Sequence, residues 1–255
     1  MAVLHVIVTG GSSGIGLAVA RLAVAEGHKV SIMARNPDRL NDALAVLGNE
    51  ANTQAICADV KDAIAVENAI RTCTEKFGAC DVLITSAGVV EPAFFTELSE
   101  AQFNEQIETN FFGTVNAVRA VYPIMKSRGL GSIMMIASGA ALIGIPGYTA
   151  YCASKAALAS FAESLRSEAG RDIHIGISYP PDTLTPQLAL EIPKRTVAAR
   201  ALMGSHKAWP VEKVAEGVFN GIRRRKKHVH FGWQLKALSW LGPFIKPFIY
   251  SRIRH

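Results

Sequence analysis

Residues 3–25 constrain the fold more tightly than any other stretch. Val3-Leu4-His5-Val6-Ile7-Val8 is a short β-branched run, ended by Thr9, Gly10 and Gly11. A run with no polar alternation fits a strand buried on both faces of a parallel sheet. Ile15, Ala18, Val19 and Leu22 then share one helical face, so 14–25 reads as a helix. The pattern repeats along the chain. Strands are expected at 29–33, 53–57, 81–85, 131–136, 173–179 and 228–231, and helices at 37–47, 63–77, 99–125, 148–169 and 211–224. Ser99-Glu100-Ala101-Gln102 fits a capping box at the head of the long helix. Strands alternating with helices predict an α/β chain with a doubly wound parallel sheet covered on both faces. No internal repeat or long linker divides it, so 1–232 reads as one domain followed by a tail, 233–255.

In such sheets ligands bind beyond the carboxyl ends of the strands. Thr9, Arg35, Asp59, Gly88, Ser138 and Pro180 lie just past those ends. The first loop, Thr9-Gly10-Gly11-Ser12-Ser13-Gly14-Ile15-Gly16, has the spacing G-x-x-x-G-x-G. Its glycines let backbone approach a pyrophosphate, and the helix N-terminus offers that anion free N–H groups. No Gly-Lys-Ser/Thr ends the loop, so it is not a P-loop. A dinucleotide is the expected ligand. NAD sites usually place an acid about 20 residues on. Here the second strand ends in Met33-Ala34-Arg35-Asn36. A guanidinium there suits a ribose 2′-phosphate, which favours NADP(H); a solvated surface charge is the other reading. Asp59 fits either an adenine contact or a helix cap.

Tyr151 and Lys155 stand four apart on an expected helix and so share a face. An ammonium near a phenol lowers the phenol's pKa and equips it to exchange a proton with a carbonyl oxygen. Together with Thr9–Gly16, Asn110 and Ser138, the pair resembles the short-chain dehydrogenase/reductase family over residues 3–190. The resemblance implies a Rossmann-type fold with a seven-stranded sheet and nicotinamide-dependent carbonyl chemistry. It implies Tyr151 as general acid and Ser138 as a hydrogen-bond donor to the substrate carbonyl. It also implies Lys155 as the group that tunes Tyr151 and binds the nicotinamide ribose, and Asn110 as the holder of a relay water. Cofactor contacts are implied for Thr9, Gly10, Ser12, Ser13, Gly14, Ile15, Gly16, Arg35, Asp59, Val60, Ala87, Gly88, Pro181, Thr183 and Thr185, and a homo-oligomer, dimer or tetramer, is expected. One departure stands out: Thr85 occupies the first position of the family's N-x-A-G at the end of strand four.

The substrate is narrowed by Tyr179-Pro180-Pro181-Asp182-Thr183-Leu184-Thr185-Pro186. This form resembles 3-ketodihydrosphingosine reductases, a branch of the same family, and implies a lipid ketone substrate. Leu184, Leu188, Leu190, Ile192 and Leu202 then suit the wall of a mobile lid spanning 181–203. A 3-oxoacyl or steroid-type reductase is the rival enzyme, and an NADP-sensing scaffold the rival of another class. The net charge is +6, and nine uncompensated cations follow Glu216, so the first 216 residues carry −3. The segment from Trp233 to Tyr250 mixes aromatics, aliphatics and two lysines, and Pro243 and Pro247 are expected to break any single helix in it. That makeup fits an interfacial segment, with Arg223–Lys227 facing anionic lipid; packing on the body or on a second subunit fits it equally. No nucleic-acid module is recognisable. Residues 2–8 lack the basic flank of a signal peptide, no run of about 18 apolar residues suggests a spanning helix, and the four cysteines form no CxxC pair. No metal site is expected. The expected location is cytoplasmic, peripheral on a membrane face. Cys152, beside Tyr151, reads as a packing residue.

Overall fold

The computed structural model describes residues 2–204 and 207–251. Seven strands form one parallel sheet: β1 (His5–Thr9), β2 (Lys29–Ala34), β3 (Thr53–Cys57), β4 (Val82–Thr85), β5 (Gly131–Ile136), β6 (Ile173–Tyr179) and β7 (His228–His230). Their spatial order is β3-β2-β1-β4-β5-β6-β7, and every neighbouring pair is parallel. The order reverses between β1 and β4, which opens a crevice at the carboxyl ends of both.

The continuous apolar runs of the strands are explained by helices on both faces. Val6, Val8, Ile32 and Ile84 pack against α1 (Gly14–Ala25), α2 (Pro37–Leu47) and α9 (Val211–Arg223). Ile7, Met33, Leu83 and Ile175 face α3 (Ala63–Phe77), α5 (Gly113–Arg128) and α6 (Thr149–Ala169). Local signals set the helix starts. Asn36 caps α2, whose first residue is Pro37, and Asp62 caps α3 through the amides of Ile64 and Ala65. Asp62 thus takes the capping role that Asp59 was a candidate for. The Ser99–Gln102 capping box forms at the head of α4 (Glu100–Ile107).

Two expectations about helices are corrected, and the segment expected as a lid gains helices of its own. The long helix expected at 99–125 is α4, then a π turn at Glu108–Phe112, then α5, which runs on to Arg128. The segment expected as a lid folds into α7 (Pro186–Glu191), a 3-10 turn at Ile192–Lys194 and α8 (Val197–Met203). Pro243 and Pro247 do not break the tail: both lie inside α10 (Trp233–Ser251). Each interior proline forfeits one backbone hydrogen bond and costs about 3 kcal/mol in isolation. Tertiary packing offsets that cost. The Tyr250 hydroxyl accepts from Gly144 N at 2.9 Å and donates to Gly144 O at 3.1 Å, while Leu238 and Ile249 join a cluster with Ile143, Ile145 and Tyr148. The tail therefore packs on its own body along one face. Its cations Arg252 and Arg254 lie outside the described residues. No helix among the described residues is long and apolar enough to cross a membrane.

Candidate active site

The glycine loop forms the floor of the site. Gly10 has φ +67°, and a Cβ there would run into the backbone of Ser86 and Ala87. At Gly16 a Cβ would strike the Gly10 carbonyl. The loop is thus closed against β4 and α1 in a way only glycine permits. Ser13 is the N-cap of α1 but makes no side-chain cap, and the first turn of α1 carries no acid. Its uncapped amides and the positive end of the helix dipole fit a pyrophosphate.

That loop opens onto one cavity of about 1320 Å³. Single small-ligand sites usually measure roughly 300–1,000 Å³, so this space suits a dinucleotide together with a second molecule. All the residues that the sequence marked as catalytic or cofactor-binding line it except Thr9, Gly16 and Asn110. Thr9 is buried in β1 and pairs with Thr85, and Gly16 sits behind the loop. Thr85 Oγ1 is buried without a partner, yet the strand pairing there is intact, with Ser86 N donating to Thr9 O at 3.0 Å.

At the far end of the nucleotide arm, Arg35 donates to Glu105 at 3.1 Å, and Lys61 donates to the other oxygen of Glu105 at 2.6 Å. The Lys61 contact, opposed by burial and helped by Arg35, holds the Glu105 carboxyl below its usual range. Asn36 and Arg39 line the same wall, so the cation that sequence reading found in Arg35 has a second beside it. Arg39 was missed because it lies inside α2, three residues past the cap. Asp59 accepts from Lys61 N at 3.0 Å, which ties down its own loop. Thr183 donates to Pro181 O, and Thr185 caps α7 through Leu188 N.

Asn110 lies in the π turn, fully buried. Its Oδ1 accepts from Val89 N at 2.7 Å, and its Nδ2 donates to Val89 O and to Ser154 Oγ, both at 2.9 Å. Its carbonyl accepts from Thr114 Oγ1 at 3.0 Å. Both amide hydrogens are committed, so the side chain pins the chain beyond β4 to α6. A π turn at a functional site commonly re-aims one side chain in this way. A Cβ on Gly88 would come 3.1 Å from Asn110 Oδ1 and 3.4 Å from Lys155 Nζ, which explains the glycine.

Tyr151, Lys155 and Ser138 line the same cavity. Ser138 caps a short 3-10 turn through Ala140 N and faces Tyr151. Lys155 is buried and donates to Ile136 O at 3.1 Å; its Nζ lies 5.6 Å from the Tyr151 ring centre. The expectation that Lys155 holds the Tyr151 pKa down is not met. Burial pushes the Tyr151 phenol up, the Glu191 carboxylate adds to the rise, and a hydrogen bond from Ser138 opposes it. Burial also pushes Lys155 down to about 8, so its charge is itself weakened. Cys152 is packing, as expected: burial raises its thiol, and Sγ donates to Ile143 O at 3.6 Å.

The other arm of the cavity is apolar. Leu188, Leu190 and Leu202 line it, whereas Leu184 and Ile192 do not. Leu235, Leu238, Ile245 and Ile249 of α10 form its roof. Sequence reading missed this wall because interior prolines argue against the helix that builds it. Among the described residues no cluster of His, Cys, Asp or Glu could hold a metal ion.

A family model described as short chain dehydrogenase matches residues 4–195. The chain belongs to the short-chain dehydrogenase family. It is therefore an oxidoreductase, and its seven-stranded sheet is that of the family. A 3-dehydrosphinganine reductase of Arabidopsis thaliana is 39% identical, over 93% of this chain and 73% of its own length. A 3-ketodihydrosphingosine reductase of Bos taurus is 34% identical, over 84% of this chain and 67% of its own length. This short-chain dehydrogenase also shares its fold with a variant actinorhodin polyketide ketoreductase solved with NADPH. That structure is 25% identical, with a TM-score of 0.84 over 93% of this chain and 97% of the other.

Proposed function

We propose that this protein reduces a long-chain lipid ketone, 3-ketodihydrosphingosine, to dihydrosphingosine with NADP(H) as cofactor. The observation that carries the reading is the mixed lining of the cavity. Tyr151 and Ser138 share it with the polar glycine loop and with the apolar residues of α10. A carbonyl at Tyr151 and Ser138 and an acyl-length chain under the roof match that division. The names borne by the similar relatives support the same substrate.

The uncapped start of α1, with Arg35 and Arg39 at the ribose end, would hold the cofactor, which when bound supplies the hydride. Hydride addition builds negative charge on the carbonyl oxygen, where preorganised donors lower the barrier most. Ser138 Oγ donates to that oxygen. Tyr151, kept protonated by burial and by Glu191, delivers the proton to it. Lys155 stays anchored to Ile136 O beside them. The test is a panel of ketones with NADPH and NADH oxidation followed side by side. Turnover of 3-ketodihydrosphingosine with NADPH is expected to exceed that of 3-oxoacyl thioesters; the reverse order rules the reading out.

The protein works peripherally on the cytoplasmic face of a membrane, where its substrate resides. Away from the roof face, α10 presents Trp240, and at its flank Phe244 and Phe248, each 72–74% exposed, with Lys236 and Lys246 on the same helix; Phe244 and Phe248 also border a groove with Ala201 and Leu202. Aromatics flanked by lysines are the makeup of an interfacial helix. Removing the whole tail would also remove the cavity roof, so a surface variant is the cleaner probe. Replacing Trp240, Phe244 and Phe248 together with Ser is expected to release the protein from vesicles of mixed neutral and anionic lipid while a water-soluble ketone is still turned over. Undiminished sedimentation with vesicles would refute the docking face.

A further inference from the structure

Beside Tyr151 lies a charged group that the reaction scheme above does not need. Arg195 is 8% exposed and grips Asp182 with two 2.7 Å bonds, one to each carboxylate oxygen. The same guanidinium donates twice to Glu191 Oε1, at 3.0 and 2.7 Å. Tyr148 donates to that oxygen as well, at 2.7 Å, and its ring centre lies 6.2 Å from that of Tyr151. Two carboxylates against one guanidinium leave one negative charge. The nearby Lys194 does not neutralise it, being paired with Glu91 at 2.8 Å.

The excess charge has a direction. Every hydrogen bond of Glu191 among the described residues goes to Oε1. Oε2 has none, though the side chain is only 11% exposed and lines the cavity together with Asp182, Tyr148 and Tyr151. A carboxylate oxygen that faces a cavity from a mostly buried side chain, with no protein donor of its own, is free to meet a cation there. We propose that Glu191, braced by Arg195 and Tyr148, is a specificity residue that binds a primary ammonium on the carbon next to the substrate's ketone.

The inference rests on the reading of the substrate as 3-ketodihydrosphingosine, whose amine is on that carbon. It explains why 3-oxoacyl thioesters and steroids, which carry no such cation, would be discriminated against. It also ties recognition to chemistry. A cation on Oε2 would oppose the carboxylate's pull on the Tyr151 proton, so Tyr151 becomes a readier acid once the amine is seated.

The experiment compares 3-ketodihydrosphingosine with 1-hydroxyoctadecan-3-one, the same chain without the amine, in the same detergent micelles. The unsubstituted protein is expected to favour the amino ketone in kcat/KM by about 10- to 100-fold, the range of a charge-assisted hydrogen bond. Glu191→Gln retains the acceptor for Arg195 and Tyr148, and it should cut that preference at least tenfold or abolish it. A merely structural Glu191 would lower both substrates by one factor and leave the ratio untouched, which overturns the proposal. An unsubstituted protein that treats both ketones alike overturns it too, whatever the variant does. Inhibition by octadecylamine against octadecanol gives a reading independent of folding: equal potency of the two counts against the subsite. Failure to reduce 3-ketodihydrosphingosine at all, with another ketone turned over, would instead remove the substrate reading, and this inference with it.

Discussion

Tyr151→Phe is expected to lower ketone reduction by about 10²–10⁴-fold, the usual contribution of a positioned general acid. NADPH is still expected to bind, because the substitution removes only the phenolic oxygen. The ring keeps its edge contact with Tyr148, and Lys155 keeps its bond to Ile136 O. Single-turnover reduction and a fluorescence titration of NADPH separate the two effects. Ser138 would still donate to the carbonyl oxygen, so residual activity above background is expected rather than none. Full activity in the variant would show that the proton comes from elsewhere. Loss of NADPH binding would show that the phenol organises the cofactor arm, which nothing in its contacts requires.

Much of this site was legible before the fold was known, because its parts sit where local rules operate. The Gly10–Gly16 spacing needs only a strand before it and a helix after it. Tyr151 and Lys155 need only a helix, and the two side chains converge once α6 forms. The parallel order follows from the alternation of elements, each with a local cap or turn.

What was not legible depends on distance along the chain or on a local rule that packing overrides. Arg195 meets Asp182, thirteen residues away, and only the folding of α7 between them brings Glu191 into the same cluster. The i, i+4 spacing of Glu191 and Arg195 was visible, but it is common on any helix and marks no site by itself. The π turn that carries Asn110 was not legible, because no sequence pattern announces one. Pro243 and Pro247 argued against a helix on sound local grounds, and the 2.9 Å bond between Gly144 N and Tyr250 shows what outweighed them. The pKa of Tyr151 misled for a related reason: the Lys155 charge is visible in sequence, whereas burial and the Glu191 carboxylate are not.

Arg195→Ala is expected to be the most destabilising single change in the lid, by about 3 kcal/mol. The guanidinium donates four hydrogen bonds to two carboxylates. Burial alone would lower its pKa, but Asp182 and Glu191 more than offset this and hold it above its ordinary value. Deleting it leaves Asp182, 30% exposed, to recruit water, while Glu191 keeps only Tyr148 as a donor. The loss is therefore at the low end of the range for breaking a buried pair. For a chain of this length it corresponds to a fall in Tm of roughly 6–12 °C. The segment between Asp182 and Thr196 should come loose before the sheet does, because Arg195 joins its two ends. Thr196 Oγ1, bonded to Pro146 O at 3.0 Å, is left as a side-chain tie to the loop below α6. Hydrogen exchange should thus quicken first over 182–203, with β1, β4 and β5 protected as before. Uniform quickening across the sheet, or a Tm within about 2 °C of the unsubstituted protein, would mean that the cluster serves the pocket's charge and does not hold the lid. Arg195→Lys separates the remaining possibilities, since a single ammonium keeps the charge but cannot fork to both carboxylates. Recovery of less than half the lost stability in that variant is expected if the two-pronged geometry, and not charge alone, holds Asp182 and α7 together.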